Sequence, residues 1–431
     1  MGSLAGVHIL EDLAYRGLIH QLTDHEGLRH KLSHERVVLY AGFDPTADSL
    51  HIGSLLPILT LKRFQQAGHT ALVLVGGGTG LIGDPSGKAA ERTLQTADIV
   101  EQWADKIKQQ LSRFLDFHDQ SIDAAKIVNN YDWLAQLHVI EFLRDIGKNF
   151  TVNYMLAKDS VDSRISKGIS FTEFSYMILQ AYDFYKLHLT HQCTLQIGGS
   201  DQWGNITAGL ELISRTTDHK AYGLTIPLVT KSDGQKFGKT ENGTIWLDAN
   251  KTSPYQFYQF WFNVDDQDVI TYLKYFTFLS ADEIAVYENQ VQQQPEKRDA
   301  QRTLAKEVTQ LVHGDAALQS AIRITQAFFN GNVQELSKQE IEQAFQDQPL
   351  TIVHDQEIDM IELLIQSGLA SSKRQVRQDI ESGAIAVNGE KTSSPTQTVR
   401  EMQRIGDNFL ILRRGKKTYV LVQISSEETA D

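Results

Sequence analysis

The stretch "DGQKFGKT" (233–240) places two lysines and a threonine in a short glycine-containing segment, a combination suited to binding phosphate oxygens. It fits the phosphate-binding pattern G-x-x-x-x-G-K-[ST] at every position except the first, where Asp233 replaces the required glycine. A P-loop also needs a helix after the threonine, whereas the following "ENGTIWLDAN" predicts a turn and a strand. The context therefore favours a lysine-bearing loop of another kind.

A second glycine-rich stretch, "GGGTGLIGDPSG" (76–87), contains G-x-G-x-x-G at Gly78, Gly80 and Gly83 directly after a predicted strand. A dinucleotide site of this type needs a helix that starts at the loop and directs its first amides at the pyrophosphate. Here Asp-Pro-Ser-Gly follows, which favours a turn. The remaining interpretations are a crossing loop rich in glycine and a loop that brings Asp84 to the cation of a ligand.

A third stretch, "GFDPTADSLHIGS" (42–54), begins at the end of a predicted strand and continues through a proline-containing turn. His51 and Gly53 then open a predicted helix. Free amides at a helix N-terminus, beside a histidine, suit an anion or an adenine–phosphate unit. A helix whose first turn simply contains a histidine fits the same residues.

One predicted helix carries polar side chains on a single face. Tyr176, Gln180 and Asp183 are spaced i, i+4 and i+7, which places them on one side of the helix. A ligand pocket and an ordinary solvated face both fit this spacing. Apolar side chains accompany them at Phe171, Phe174, Met177 and Ile178.

The elements that must position these residues alternate between strand and helix. Such alternation predicts a parallel sheet, with ligands at the carboxyl ends of its strands. The predicted strands are 36–42, 70–77, 125–130, 193–199 and 222–230. The predicted helices are 54–68, 95–117, 132–149, 171–189 and 200–215. After about Ser253 the pattern becomes mainly helical as far as 345, and an aperiodic linker and a short basic module follow.

Composition narrows the class of protein. A chain of 431 residues predicts two or three domains, and a single cysteine, Cys193, excludes an intramolecular disulfide or a thiolate metal cluster. The N-terminus has no long apolar run, so we expect a cytoplasmic protein without a membrane segment. The net charge is −13, but ten basic and six acidic residues give +4 between Ile361 and Ile424, which leaves −17 elsewhere. The basic end suggests an anionic partner.

Together these motifs resemble the class I aminoacyl-tRNA synthetases, whose two ATP elements are His-Ile-Gly-His and Lys-Met-Ser-Lys-Ser. Within that class the sequence is similar to the bacterial tyrosyl-tRNA synthetases. The C-terminal "SKRQVRQDIESGAIAVNG" (372–389) resembles the small RNA-binding module shared with ribosomal protein S-four. The matching stretches occur in family order as "GFDPTADSLHIG", "GGGTGLIGDPSGK", "QAYDF", "QIGGSDQWGNI" and "KFGKT".

The resemblance implies an α/β fold: a Rossmann-like parallel-sheet catalytic domain, an all-α domain and a small α+β RNA-binding module. We expect the catalytic domain, binding ATP and tyrosine, at 1–252 and the helical anticodon-side domain at 253–345. A linker at 346–359, the S-four-like module at 360–424 and an acidic tail at 425–431 would complete the chain. Cutting in the linker should then expose little core.

The implied reaction is a tyrosine–tRNA ligation in two steps, and the residues carried over by the resemblance fall into four groups. The catalytic group is Thr46, His51, Lys236, Lys239 and Thr240. The tyrosine-binding group is Tyr40, Asp84, Tyr176, Gln180, Asp183 and Gln202. The ATP-binding group is Gly42, Asp44, His51, Gly53, Asp201 and Lys239. The tRNA-binding group is Lys373, Arg374, Arg377, Arg413, Arg414, Lys416 and Lys417.

Two departures from the family pattern stand out. Ser54 occupies the place of the second histidine of His-Ile-Gly-His, and a hydroxyl can donate a hydrogen bond but carries no charge. Phe237 and Gly238 replace Met-Ser, which leaves both lysines in place.

The implied partners are tRNA(Tyr), L-tyrosine, ATP and a second copy of the chain, since the family forms homodimers. No tightly bound cofactor and no protein-only metal site are expected, and Mg²⁺ would arrive with ATP. The alternatives are a tryptophanyl enzyme of the same fold, a P-loop or nicotinamide enzyme, and a non-catalytic RNA-binding protein. Asp183 counts against the first, motif context against the second, and the presence of both ATP elements against the third.

Overall fold

The computed structural model describes residues 7–86, 94–118, 124–166, 168–232, 237–240, 243–392, 394–406, 408–415 and 418–425. Within these residues the chain divides into two compact units. The first contains 1–248 and 264–304, and the second contains 249–263 and 305–431.

The first unit contains a six-stranded sheet in the order β1-β6-β5-β2-β3-β4. Strands β2 to β6 are parallel, and β1 runs antiparallel to β6 at one edge. The parallel sheet predicted from the alternating pattern is thus confirmed, with β1 as an unpredicted edge strand because two residues give no alternation to read. The strands are β1 Gln21–Leu22, β2 Val38–Phe43, β3 Thr70–Val75, β4 Lys126–Asn129, β5 Cys193–Gly199 and β6 Tyr222–Ile226.

Helices of the first unit follow the strands. Those up to β6 are α1 Ile9–Arg16, α2 His25–His34, α3 Leu55–Gln66, α4 Ala97–Leu111, α5 Tyr131–Leu134, α6 Val139–Glu141, α7 Val152–Leu156, α8 Asp159–Ile165, α9 Phe171–His191 and α10 Trp203–Thr216. Helices α3 and α4 pack on β3, and α9 and α10 pack on β5. Short 3₁₀ turns at Ile52–Ser54, Thr79–Leu81 and Ser200–Gln202 stand between strands and helices.

The long helix predicted at 132–149 is broken into short pieces. After α5 and α6 come a π-helical turn at Phe142–Ile146 and a 3₁₀ turn at Gly147–Asn149. Within this segment Val139 and Ile140 are exposed. Phe142 and Ile146, by contrast, pack in a core with residues of α9 and α10. The apolar side chains of the segment therefore do not share one helical face, and the segment is divided into short turns.

The end of the sheet follows from local chemistry. Strand β6 stops at Ile226, four residues before the predicted end, because the next residue is Pro227, which has no amide hydrogen to donate to a ladder. A small hairpin, β7 Lys239–Thr240 with β8 Gly243–Thr244, follows.

Beyond the hairpin the chain is helical. The helices are α11 Pro254–Phe262, α12 Asp266–Phe276, α13 Ala281–Gln293, α14 Asp299–His313, α15 Asp315–Asn330 and α16 Lys338–Ala344. Helix α12 packs on α1 and α3, which belong with it to the first unit. Arg16 and Arg63 donate to the carbonyl of Thr277, just after α12.

The second unit contains a five-stranded sheet in the order β11-β10-β12-β13-β9. Its strands are β9 Thr351–Val353, β10 Ile385–Val387, β11 Glu390–Lys391, β12 Phe409–Arg414 and β13 Thr418–Ile424. Helices α17 Met360–Gln366 and α18 Lys373–Glu381 precede β10. Strand β9 lies inside the predicted linker and pairs in parallel with β13. Three residues are too few to show a period, which is why the sequence did not reveal this strand.

Strand β12 is buried on both faces. Leu410 and Leu412 belong to a core formed with α17 and α18. Phe409 and Ile411, which alternate with them, belong to a second core formed with residues of α15, α16 and the segment after them, among them Phe345. The linker therefore does not separate two independent cores, and the expectation that a cut there exposes little apolar surface does not hold.

We expect Phe409→Ala to lower the free energy of unfolding of the full chain by about 3–5 kcal/mol, because it removes a large side chain from that shared core. Denaturant unfolding followed by circular dichroism measures the change. The matched control is Phe329→Ala on α15, whose side chain is 90% exposed and should cost little. Equal losses from the two variants would contradict the shared core.

Candidate active site

The polar residues singled out in the sequence gather where the strand order reverses. Strand β2 has β3 and β4 on one side and β5 and β6 on the other, so the crevice between β2 and β5 is the topological switch point of the sheet. Ligands of open parallel sheets bind in this crevice, outside the carboxyl ends of the strands. Asp44 follows β2, Asp84 lies in the loop after β3, and Asp201 follows β5.

A continuous chain of hydrogen bonds crosses the strand ends. The Tyr176 hydroxyl donates to Asp44 Oδ2 at 2.7 Å, and the Thr79 hydroxyl donates to Asp44 Oδ1 at 2.7 Å. Asn130 Nδ2 donates to Thr79 Oγ1 at 2.8 Å and to Asp183 Oδ2 at 2.9 Å. The chain joins the ends of β2, β3 and β4 to helix α9, so its members are fixed relative to one another.

Asp183 is a buried carboxylate with two donors. Trp133 Nε1 donates to its Oδ1 at 2.7 Å, and Asn130 donates to the other oxygen. Burial raises the pKa of Asp183 to about 8, and the two hydrogen bonds oppose that rise. The neighbouring Tyr40 is 1% exposed, and burial and the Asp183 charge raise its pKa well above the usual range.

The Tyr40 hydroxyl is buried without a hydrogen-bond partner among the described residues. An unpartnered buried hydroxyl costs about 1–3 kcal/mol. Tyr40 and Asp183 therefore place an unused hydroxyl beside a carboxylate, an arrangement that suits a ligand with a hydroxyl group.

A second polar group surrounds Asp84. Gln202 Nε2 donates to Asp84 Oδ2 at 2.8 Å, and the Ser86 amide donates to Oδ1 at 2.9 Å. Asn205 Nδ2 donates to Gln180 Oε1 at 3.0 Å and to Gln202 Oε1 at 3.1 Å. These contacts hold one carboxylate and two side-chain amides together, as a cation with hydrogen-bond donors would require.

The "HIGS" segment and the "FGKT" stretch meet in the structure. The Ile52 amide donates to the Ile245 carbonyl at 3.0 Å, and the Ile245 amide donates to the Gly238 carbonyl at 2.9 Å. His51 forms a bridge with Trp246, and its Nδ1 accepts from the Gly53 amide at 3.0 Å. The "HIGS" segment and the "FGKT" hairpin are thus neighbours, as two elements binding one ligand must be.

The other predicted site residues lie near the end of β2, in 3₁₀ turns or in the hairpin, apart from one outside the described residues. Gly42 and Thr46 are exposed at and just after the end of β2, and Gly53 and Asp201 are half-buried in 3₁₀ turns. Lys236 lies outside the described residues. For Lys239 and Thr240 only the backbone is described, in the hairpin strand β7.

The geometry disfavours both alternative phosphate motifs. The Gly78 amide donates to Asn130 Oδ1 at 2.7 Å and the Gly83 amide to the Thr79 carbonyl, so these amides of G-x-G-x-x-G are already used. Lys239 and Thr240 form a hairpin strand instead of opening a helix. Neither loop is therefore built as a dinucleotide or P-loop site.

The basic residues of the second unit divide into two kinds. Lys373, Arg374 and Arg377 are exposed on α18. Arg414 on β12 pairs with Asp379 at 2.9 Å and donates to the Leu369 carbonyl, and both contacts lie inside the unit. Arg413 is half-buried on the same strand. Two further predicted residues, Lys416 and Lys417, lie outside the described residues.

Sequence reasoning missed several residues that form this site. Asn130, Trp133 and Asn205 contact the predicted residues directly, as do Thr79 and Ser86. Asn130 was accessible in principle, because it directly follows strand β4 and polar residues at carboxyl ends of parallel strands are site candidates. Trp133 and Asn205 gave no such signal.

Two features are absent from the described residues. No group of three or more His, Cys, Asp or Glu side chains there is arranged to hold a metal ion. Within the same residues, none of the helices has the length and apolar character needed to cross a membrane.

Comparisons with known proteins agree with this geometry. The family "tRNA synthetases class I (W and Y)" matches residues 32–330, and "Tyrosine--tRNA ligase SYY-like C-terminal domain" matches 340–422. Tyrosine--tRNA ligase 1 of Bacillus subtilis (strain 168) is 61% identical over 418 residues, which is 96% of this chain and 99% of that protein. Tyrosine--tRNA ligase of Geobacillus stearothermophilus is 60% identical over 416 residues, again 96% and 99%.

A solved structure supports the same relationship. The C-terminally truncated mitochondrial tyrosyl-tRNA synthetase of Aspergillus nidulans aligns with a TM-score of 0.67 at 33% identity. The alignment covers 74% of this chain and 94% of that one.

We expect Trp133→Phe to raise the pKa of Asp183 above about 8, because it removes a donor that favours the ionised carboxylate. The folded-state pKa already lies above the ordinary value of 3.8, so the folded state retains the proton longer and the free energy of unfolding falls as pH rises between about 4 and 8. The variant should extend that fall to higher pH.

A carboxyl ¹³C NMR titration measures the pKa directly, with the resonance assigned by its loss in Asp183→Asn. The control is Trp103→Phe on α4, which should leave the midpoint unchanged. An unchanged midpoint in Trp133→Phe would contradict the role given to this donor.

Proposed function

The chain belongs to the tyrosine–tRNA ligases of the class I aminoacyl-tRNA synthetase family, and we propose that the pocket at the switch point of its sheet binds tyrosine and ATP. As a tyrosine–tRNA ligase it activates tyrosine with ATP and then transfers the tyrosyl group to the terminal ribose of tRNA(Tyr). In the first step a tyrosine carboxylate oxygen forms a bond to the α-phosphorus while the bond to pyrophosphate breaks.

Tyr40 and Asp183 recognise the phenol of tyrosine in this proposal. The observation that carries it is the buried Tyr40 hydroxyl, without a partner among the described residues, next to the Asp183 carboxylate. A phenolic hydroxyl can donate to Asp183 and accept from Tyr40. Phenylalanine would leave both groups buried and unpaired, which gives the pocket its selectivity.

The tyrosine ammonium lies in the proposal among Asp84, Tyr176 and Gln180. Asp84 supplies the negative charge, and its orientation is fixed by Gln202. Because the Tyr176 hydroxyl donates its hydrogen to Asp44, its oxygen remains available to accept from the ammonium. Gln202 would then lie near the tyrosine carboxylate and the ribose.

ATP binds across the two motifs that meet beside β2. We assign Gly42, Asp44, Gly53 and Asp201 to the binding of ATP, with Asp201 at the ribose. The catalytic group, which stabilises charge on the phosphates as pyrophosphate leaves, is Thr46, His51, Lys236, Lys239 and Thr240. The first step needs no general base, because the attacking carboxylate is already ionised, so positioning and electrostatic stabilisation carry it. In this proposal Mg²⁺ enters with the phosphates of ATP.

The basic surface of the second unit contacts tRNA phosphates in this proposal. Lys373, Arg374 and Arg377 are exposed on one face of α18. Val376 of the same helix points in another direction, into the core. Arg413, Lys416 and Lys417 would contribute further charge. Arg414 is the weakest member of the set, because its guanidinium already pairs with Asp379.

We also propose a homodimer working in the cytoplasm, where tRNA and ATP are found. Support for the dimer comes from apolar side chains exposed along one segment of the first unit. Val139, Ile140, Leu143, Val152 and Phe171 are 55% to 78% exposed. Covering exposed apolar side chains is favourable, so this stretch of the chain is our candidate for the dimer contact.

The pocket predicts strong selectivity for tyrosine. Tyrosine-dependent ATP–pyrophosphate exchange should exceed phenylalanine-dependent exchange by at least about a hundredfold, since two buried polar groups lose their partner. Tyr40→Phe should reduce the ratio of tyrosine-dependent to phenylalanine-dependent exchange, because it lowers only the tyrosine-dependent rate. Tyr182→Phe, on the same helix as Asp183, is the control. Exchange driven best by tryptophan would favour the tryptophanyl alternative and overturn the assignment.

The role proposed for the lysine-bearing loop predicts that removing a lysine changes the rate of adenylate formation but not the affinity for tyrosine. Lys239→Ala should lower the rate of adenylate formation by about a hundredfold, because its ammonium acts mainly on charge that develops in the transition state. Tyrosine affinity should stay within about twofold of the wild-type value. Stopped-flow activation and fluorescence titration with tyrosine measure the two quantities.

Lys220→Ala, the same charge change at an exposed position beside Asp24, is the control. If Lys239→Ala weakened tyrosine binding and left activation unchanged, the role assigned to Lys239 would be wrong.

A further inference from the structure

Helix α12 attaches to both flanks of the lysine-bearing loop, and no step described so far uses this helix. On the N-terminal flank the Ser232 amide and hydroxyl donate to Asp268 Oδ2 at 3.1 and 3.0 Å. The Tyr272 hydroxyl donates to the Thr230 carbonyl at 3.0 Å. Asp268 and Tyr272 are one helical turn apart, so they lie on the same side of α12.

The C-terminal flank is held by the same side of the helix. The Phe237 ring stacks on Phe276 at 5.5 Å between centroids and meets the edge of Tyr272 at 5.3 Å. Phe276 is again four residues further along α12. The helix therefore presents Asp268, Tyr272 and Phe276 in a row, and Tyr272 contacts both flanks.

Gly238 then connects this flank to the other ATP motif. Its φ is +77°, in the left-handed region, and a Cβ there would lie 2.4 Å from Ile52 Cγ2. Only glycine fits a positive φ at such close approach without strain. The position of Phe237 on α12 thus fixes the hairpin against the "HIGS" segment.

Helix α12 is itself tied to α3, which begins just after that segment. Arg63 of α3 is fully buried and donates to the Thr277 carbonyl at 2.5 Å. Arg16 donates to the Lys274 carbonyl at 3.1 Å, and its Nε pairs with Asp12 at 2.8 Å. Guanidinium groups at the end of a helix also interact favourably with its dipole. The connection gives α12 a fixed position relative to the element that carries His51.

We propose that Asp268 and Tyr272 are positioning residues for tyrosine activation, which hold the loop containing Lys236 and Lys239 by its flanks against the ATP site. Residues 233–236 lie between the two attachment points in the sequence. Because both described flanks, Ser232 on one side and Phe237 on the other, contact one helix, α12 sets the positions at which the loop begins and ends beside the ATP site. The inference rests on the proposed role of those lysines.

Tyr272→Phe tests the proposal with the loss of a single hydroxyl, since the ring that contacts Phe237 remains. We expect adenylate formation at saturating tyrosine and ATP to slow about threefold to tenfold, the effect of losing one hydrogen bond. Tyrosine affinity should stay at the wild-type value, and the melting temperature should fall by no more than about 3 °C, as expected for the loss of one hydrogen bond. Tyr275→Phe is the matched control, because this ring of α12 lies beside Gly17 instead of the loop.

Asp268 provides an independent test with a conservative rescue. Asp268→Ala removes the acceptor for Ser232 and should slow activation to a similar extent, whereas the amide oxygen of Asp268→Asn can still accept and should restore most of the rate. If the loop lysines transmit these effects, Tyr272→Phe should have a smaller effect in the Lys239→Ala background.

Wild-type activation rates in both Tyr272→Phe and Asp268→Ala would overturn the proposal, as would equal slowing in Tyr275→Phe. So would a loss of tyrosine affinity parallel to the loss of rate, which indicates general disturbance of the fold. Slow activation by Lys239→Ala alone, with the α12 variants unaffected, would leave the proposed function standing and remove only this inference. Normal activation by Lys239→Ala would instead remove the proposed role of the loop.

Discussion

The side-chain amide of Asn130 is the contact on which the rest of the pocket depends. Its oxygen accepts from the Gly78 amide, and its nitrogen donates to Thr79 and Asp183. One residue therefore fixes the glycine-rich loop after β3, the carboxylate on α9 and, through Thr79, the Asp44 carboxylate after β2. Because Asn130 is fully buried, water cannot replace any of these bonds.

The hydrogen-bond network also stabilises two neighbouring carboxylates, Asp44 and Asp183. Burial and the charge of Asp44 both raise the pKa of Asp183, while Asn130 and Trp133 favour its ionised form. Asp44 accepts from Thr79 and Tyr176, so its charge is partly compensated too. A further donor to Asp183 would favour the ionised form in the same way, and in our proposal the phenol of tyrosine is that donor.

The elements that the sequence predicted correctly are those with a clear hydrophobic period. The parallel strands and the helix carrying Tyr176 and Asp183 were predicted because their periods are long and unambiguous. The prediction failed at 132–149, where some apolar side chains are exposed and others are packed without forming one helical face, and at β9, which is too short to show a period. Trp133 could not be predicted from the sequence, because only the fold brings its indole Nε1 to the Asp183 carboxylate, fifty residues further along the chain.

The glycine-rich loop shows why a motif can match without its usual chemistry. In a dinucleotide site the glycines let the backbone approach a phosphate. Here a Cβ on Gly76 would lie 1.9 Å from Asp44 Oδ1, and one on Gly77 would lie 2.4 Å from Asn129 Oδ1. These two glycines, which directly follow β3, make room for side chains of the neighbouring strand ends. The same lack of a side chain that elsewhere admits a ligand is used here to let the Asp44 carboxylate reach Thr79 and Tyr176, the partners that orient it.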